Sequence, residues 1–215
     1  MKIKCLCSIF CFVLFSLMYS QETKTESDAV RTEVIDRLNI PGPLTFNGNE
    51  FFLTRSKQNS VTWVQQQYIQ RDDDVDHYKE LINISYFDKE IDTNNAVKQK
   101  VQYIENRKNQ TQDKYSFVNV TESPDGKEIV VDYLVTVITE DGEPYAEYNF
   151  DRFKSYDKNG SKSFLIFSYS KRLEGDLKYA TKSLLRERSS LMETIIKTAI
   201  PPVTYKPTDV AQKKK

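Results

Sequence analysis

The sequence predicts an α+β fold: a single domain with an antiparallel sheet and helices packed on one face. Three observations predict it. Ile129, Val131, Tyr133, Val135 and Val137 alternate along one stretch, the period of a strand. Several strand-like runs follow one another across Asn-Gly and Asp-Gly turns. A long segment near the C terminus carries apolar residues at helical spacing.

The elements follow in chain order. Leu44-Thr45-Phe46, then Asn47-Gly48, then Phe51 to Arg55 reads as a hairpin, because Asn-Gly permits the positive φ angles of a tight primed turn. Val61 to Gln70 reads as a strand whose apolar face is interrupted by Gln65, Gln66 and Gln67. Leu81 to Phe87 is a further strand. Val97, Val101 and Ile104 share one helical face, with Asn94 or Asn95 as the cap, and the helix ends in the polar stretch 106–113. The run 129–138 has one wholly apolar face; its other face is mixed, with Val130, Asp132, Leu134, Thr136 and Ile138. Such a strand is central, covered on one side and partly covered on the other. Ala146, Tyr148 and Phe150 mark a half-buried strand, and Phe164 to Tyr169 follows the Asn159-Gly160 turn. The last helix spans about 177–200, with a stripe of Leu177, Ala180, Leu184, Leu191, Ile195 and Ala199. Ser190 followed by Glu193 has capping-box spacing, which marks Ser189 as a place for a break. Short connections between consecutive strands predict antiparallel pairing.

The N terminus reads as a secretory signal peptide over residues 1–20. Lys2 and Lys4 form its positive start, and an apolar run from Cys5 to Met18 follows, too short for a membrane span. Small residues Ser16 and Ser20 precede a cut before Gln21. Cys5, Cys7 and Cys11, the three cysteines of the chain, leave with this segment, so the mature chain has no disulfide and no transmembrane segment. The organisation expected is a polar lead-in over 21–40, a domain over 41–202 entered at Pro41-Gly42-Pro43, and a basic tail over 203–215. Acidic and basic residues number 31 each in the full chain, and removing two lysines leaves it slightly acidic. That balance excludes nucleic acid as a partner, since phosphate binding needs a basic surface.

Two segments carry candidate site residues. Asp72, Asp74 and Asp76 have the alternate spacing of a calcium loop, in which carboxylates converge on one hard cation. The glycine and the closing acid of that loop are replaced by His77 and Asn83. His77 is the only histidine, so a Ser/His/Asp set would have to use it, with Asp74 or Asp76 as orienter. An ordinary acidic connection between strands is the competing reading. The second candidate is a polar-aromatic groove around Trp63, Gln65, Gln67, Tyr68 and Tyr86, with Tyr78 nearby; ring faces and amides suit sugars or peptides. Strand propensity alone also accounts for these aromatics. Glycosylation sequons occur at Asn83, Asn109, Asn119 and Asn159.

The stretches Gly42 to Phe46, Phe51-Phe52-Leu53, Val64 to Tyr68, Ala96 to Val101, Val131 to Val135 and Glu147 to Phe153 form a pattern of apolar and aromatic positions. In that pattern the chain resembles a group of uncharacterised exported proteins of Bacteroidetes-type bacteria. The resemblance implies a periplasmic or secreted location and carries no activity or site residue with it. The leading expectation is an exported, non-catalytic accessory or binding domain of the bacterial envelope, with an envelope protein, peptide or carbohydrate as partner and no cofactor. A hydrolase using the acids around Asp72–His77 and a calcium-stabilised structural domain using the same acids are the alternatives.

Overall fold

Leu44–Phe46 (β1) and Asn49–Ser60 (β2) are joined by Asn47 and Gly48, both at positive φ, the pair that a primed two-residue turn requires. In the computed structural model, which describes residues 34–110, 113–138, 143–158 and 160–205, this hairpin opens a meander. It continues through Trp63–Ile69 (β3) and Glu80–Phe87 (β4). The helix α1, Thr93–Gln110, leads to a second meander of Phe117–Glu122 (β5), Glu128–Val137 (β6), Tyr145–Lys158 (β7) and Ser161–Glu174 (β8). The helix α2, Leu177–Lys197, closes the order. These residues belong to the compact unit Glu33–Lys215, and the signal-peptide expectation for residues 1–20 lies outside the described residues.

The last strands of the two meanders, β4 and β8, pair with each other and fuse them into one antiparallel sheet in the order β1-β2-β3-β4-β8-β7-β6-β5. That order separates β4 from β5 by four inter-strand steps, about 19 Å at ~4.8 Å each. A connection must cross that distance, and α1, 18 residues long, extends about 27 Å at 1.5 Å per residue. The sheet is strongly curled. Phe46 of β1 and Tyr169 of β8 lie four strand steps apart, yet their ring centroids are 4.3 Å apart.

Side-chain parity assigns the two faces. The inner face, enclosed by the curl, carries Phe46, Val64, Tyr68, Ile82, Ile84, Leu134, Tyr148, Phe150, Phe167 and Tyr169, and α2 packs on it through Ala180, Leu184, Leu191 and Ile195. The outer face carries Val131, Tyr133, Phe153 and Phe164, and α1 packs there through Val97 and Ile104. The expected antiparallel sheet with helices is present, and each helix packs on one face of it. The alternation along β6 to β8 gives the two helices different faces. This is why both faces of β6 are buried: its mixed face lies under α2 and its apolar face under α1.

Several boundaries differ from the sequence expectation. The helix α1 is capped by Asp92, whose carboxylate accepts the Asn95 N–H at 2.6 Å, rather than by Asn94 or Asn95. The helix α2 runs through Ser189 and Ser190 without a break, from its Asp176 cap to Thr198. The strand β5 and the second half of β2 were not legible as strands. Core residues also extend past both ends of the segment 41–202. Leu38 and Ile40 are buried, and Gln66 Oε1 accepts the N–H groups of Arg37 and Leu38 at 2.7 and 3.0 Å. Val203 and Tyr205 pack against the inner core, and the Thr204 N–H donates to Leu38 O at 2.9 Å. Among the described residues no helix is long and apolar enough to cross a membrane.

Candidate functional site

Strand pairing sets a polar strip across the outer face, beside the footprint of α1. Trp63, Gln65 and Gln67 of β3 stand opposite Phe87, Ser85 and Asn83 of β4. Asn83 in turn faces Ser168 of β8, and Ser168 and Ser170 face Asp151 and Asn149 of β7. The strip begins at an aromatic platform, with the rings of Trp63 and Phe87 stacked at 5.5 Å and 15°. It continues as amides and hydroxyls. Ser170 donates to Asn149 Oδ1 at 2.6 Å, and Asn83 Nδ2 reaches Ser85 Oγ at 3.4 Å. The buried Oδ1 of Asn83 has no hydrogen-bond partner among the described residues. The one acid in the row, Asp151, is held by Lys100 of α1 at 2.8 Å, and the same ammonium reaches the Tyr133 hydroxyl at 3.2 Å. The row from Gln65 to Ser168 is itself neutral and polar and is carried on strands, with Lys57 and Arg55 of β2 beside Gln65 and Gln67.

Of the five residues predicted to line a groove, the structure brings Trp63, Gln65 and Gln67 together and separates Tyr68 and Tyr86 from them. Tyr68 is buried on the inner face, where its hydroxyl accepts from Gln66 Nε2 at 2.6 Å. Burial pushes its phenol well above the ordinary range, so it stays neutral. Tyr86 also faces inward, its ring 5.6 Å from that of Tyr205. The reason is parity: Tyr68 and Tyr86 are even-numbered on strands whose odd-numbered residues face out. Asn83, Ser85, Asn149, Ser168 and Ser170 were not singled out from the sequence. Parity combined with the pairing register would have found them.

The segment 70–79 closes one end of the strip. Val75 and Tyr78 pack on Ile69 and Leu81. The Tyr78 hydroxyl donates to Glu147 at 2.7 Å, and the Arg172 guanidinium lies between the Tyr78 and Tyr145 rings at 4.1 and 4.0 Å. Burial, followed by the Glu147 charge, pushes the Tyr78 phenol far above its ordinary value. A cavity of 480 Å³ lies beside this stack, lined by residues that include His77, Lys79, Lys171 and Glu174.

The acids of this segment serve the loop itself. Asp73 Oδ2 accepts the Lys79 N–H at 3.0 Å, Asp74 Oδ1 accepts the Asp76 N–H at 2.8 Å, and Asp76 pairs with Arg55 at 3.3 Å. The bond from the Asp76 backbone, and after it His77, holds the Asp74 carboxyl below its ordinary value. Asp72, Asp74 and Asp76 do not form a convergent set; among the described residues no group of three or more acids, histidines or cysteines is placed to hold a metal. The His77 side chain is 80% exposed, with its Nδ1 3.6 Å from Asp74 Oδ1.

The chain matches no curated protein and no solved structure. A protein-family model matches residues 38–200, from the first buried residue among those described to the last residue before Pro201-Pro202, and the chain belongs to that family.

Proposed function

We propose that this chain is an exported, non-catalytic binding domain of the bacterial envelope that recognises carbohydrate on the outer strip of its sheet. The observation that carries the reading is the Trp63–Phe87 platform running into a neutral row of Gln65, Gln67, Asn83, Ser85 and Ser168. Pyranose rings present flat apolar faces that stack on aromatic rings, and hydroxyls that both donate and accept. Amide and hydroxyl side chains answer both roles, whereas charged groups answer one. The Asn83 side chain is half-buried in this row, and its Oδ1 has no hydrogen-bond partner among the described residues. Strand-borne side chains hold their geometry better than loop-borne ones, which suits recognition without large rearrangement.

The test is titration calorimetry with three uncharged probes, cellohexaose, maltohexaose and chitohexaose. At least one should bind, and Trp63→Ala should weaken it about tenfold, the equivalent of about 1.4 kcal/mol. Trp63 is at the surface of its strand, so the same change should shift unfolding only slightly. No binding by any of the three, or equal binding by Trp63→Ala, refutes the reading. Export has its own check: N-terminal sequencing of protein recovered from the periplasm or medium should begin at Gln21.

A further inference from the structure

We propose a second binding site on the inner face, a cleft beneath the C-terminal strap that takes a small aromatic carboxylate. After α2 the chain crosses the open end of the curled sheet as Ile200, Pro201, Pro202 and Val203, leaving a cleft of 380 Å³ beneath it. Its floor is Tyr86 of β4, Lys154 and Tyr156 of β7, and Ser161 and Ser163 of β8. The volume lies at the lower end of the range for small-molecule sites, about 300–1,000 Å³.

The cleft is built rather than incidental. Beyond the cleft the strap is pinned by four hydrogen bonds. The Thr204 N–H donates to Leu38 O at 2.9 Å, and Asn39 Nδ2 to Thr204 O at 2.7 Å. The Tyr205 hydroxyl donates to Val61 O at 2.8 Å and accepts from Gln58 Nε2 at 3.0 Å. Before it, Arg152 holds the carbonyl of Ile195 at 2.7 Å and that of Thr198. Two consecutive prolines stiffen the span between these anchors. The space is thus largely formed before any ligand arrives.

The lining sets the ligand class. Tyr86 and Tyr156 bring aromatic rings to the lining and Pro201 and Pro202 bring apolar pyrrolidine rings, a surface that suits an aromatic body. Lys154 supplies the charge. Its ammonium bonds Glu128 Oε1 at 2.7 Å, but Glu128 also carries Arg152 at 2.6 Å, so two cations share one carboxylate. One positive charge is left over at the floor, and an ammonium has three N–H donors. The Tyr156 phenol, pushed up to about 12 mainly by burial, remains a hydrogen-bond donor at neutral pH. A monoanionic head on an aromatic ring satisfies the charge, the donors and the rings together.

Ligand-observed NMR and calorimetry with 4-hydroxyphenylacetate, its uncharged amide and tyramine test the assignment. The acid should bind at least tenfold tighter than the amide or the amine. Lys154→Met should remove that preference while leaving the melting temperature close to wild type, because Arg152 still neutralises Glu128. Ser163→Trp, which fills the cleft without touching the charges, should abolish binding of the acid. Neither variant should alter oligosaccharide binding on the outer face, so failure of one site is separable from failure of the other. The proposal is overturned if no probe binds at millimolar concentration, if amide or amine binds as well as the acid, or if Lys154→Met keeps the preference.

Discussion

Arg188→Ala should destabilise the domain by about 3–5 kcal/mol, the cost of stripping a buried carboxylate of its cation. Asp132, on the inner face of β6, is fully buried. Arg188 of α2 grips it with two bonds, Nε at 2.8 Å and Nη2 at 2.9 Å. The Tyr148 hydroxyl donates to the same carboxylate at 2.5 Å, and Asn119 Nδ2 reaches it at 3.3 Å. Removing the guanidinium leaves two neutral donors, Tyr148 and Asn119, around a carboxylate that is fully buried in the fold. Arg188→Lys should recover part of the loss, because a lysine cannot present the planar fork. The double change Asp132→Leu with Arg188→Met should lie far closer to wild type than Arg188→Ala alone, since no buried charge remains. Urea unfolding at pH 7 reads all four proteins. Equal stability of Arg188→Ala and wild type would show that the pair is solvated and the burial of Asp132 inconsequential.

Both partners of that pair break a pattern in the sequence, although neither was singled out from it. Ala180, Leu184, Leu191 and Ile195 form the apolar stripe of α2, and Arg188 occupies the missing position between Leu184 and Leu191. Asp132 breaks an otherwise nearly apolar strand. Each oddity was legible locally, but matching them across 56 residues needed the strand order, which periodicity does not supply. The same limit explains the strands that were missed. The strand β5 is short, with Phe117, Asn119 and Thr121 on one face and Val118, Val120 and Glu122 on the other; neither face is cleanly apolar. It is recognisable only once Phe117 is seen against Tyr148, rings 5.7 Å apart. The end of β2, from Ser56 to Ser60, is polar on both faces, with Ser56 bonded to Gln66 and Gln58 to the Tyr205 hydroxyl, so it shows no apolar alternation. Parity was available without any structure. It already placed Trp63, Gln65 and Gln67 on the opposite side of their strand from Tyr68, and would have removed Tyr68 from the candidate groove; placing Tyr86 needed the register of β3 on β4. The Asn47-Gly48 hairpin and the stripe of α2 were legible for the opposite reason, since both depend on local chemistry alone.

Arg152→Met should cost about 3 kcal/mol and unravel the end of α2 first. The last carbonyls of a helix lack intrahelical partners, and a buried end must find donors elsewhere. Arg152, reaching up from β7, supplies them to Ile195 and Thr198, and its charge complements the negative end of the helix dipole. Its remaining donors go to Glu128, with Nε at 2.8 Å and Nη2 at 2.6 Å. Methionine keeps the apolar stem and loses every one of these bonds. Hydrogen exchange should therefore quicken through the last turn of α2, residues 193–197, before it changes at the helix start. The Glu128 side of the network sets a pH dependence. Burial alone would raise the Glu128 carboxyl, but the bonds from Lys154 and Arg152 outweigh it and hold the group below its ordinary 4.5. A carboxyl with a depressed value in the folded state takes protons more readily when unfolded. The stability it contributes is complete above the unfolded value, about 4.3–4.5, and is lost as the pH falls through the folded one. Between pH 7 and pH 3 wild type should lose more stability than Glu128→Gln, whose amide does not titrate. Parallel pH profiles for the two proteins would mean that Glu128 is not held ionised by its cations, and that the strap over the inner cleft is secured by its other anchors alone.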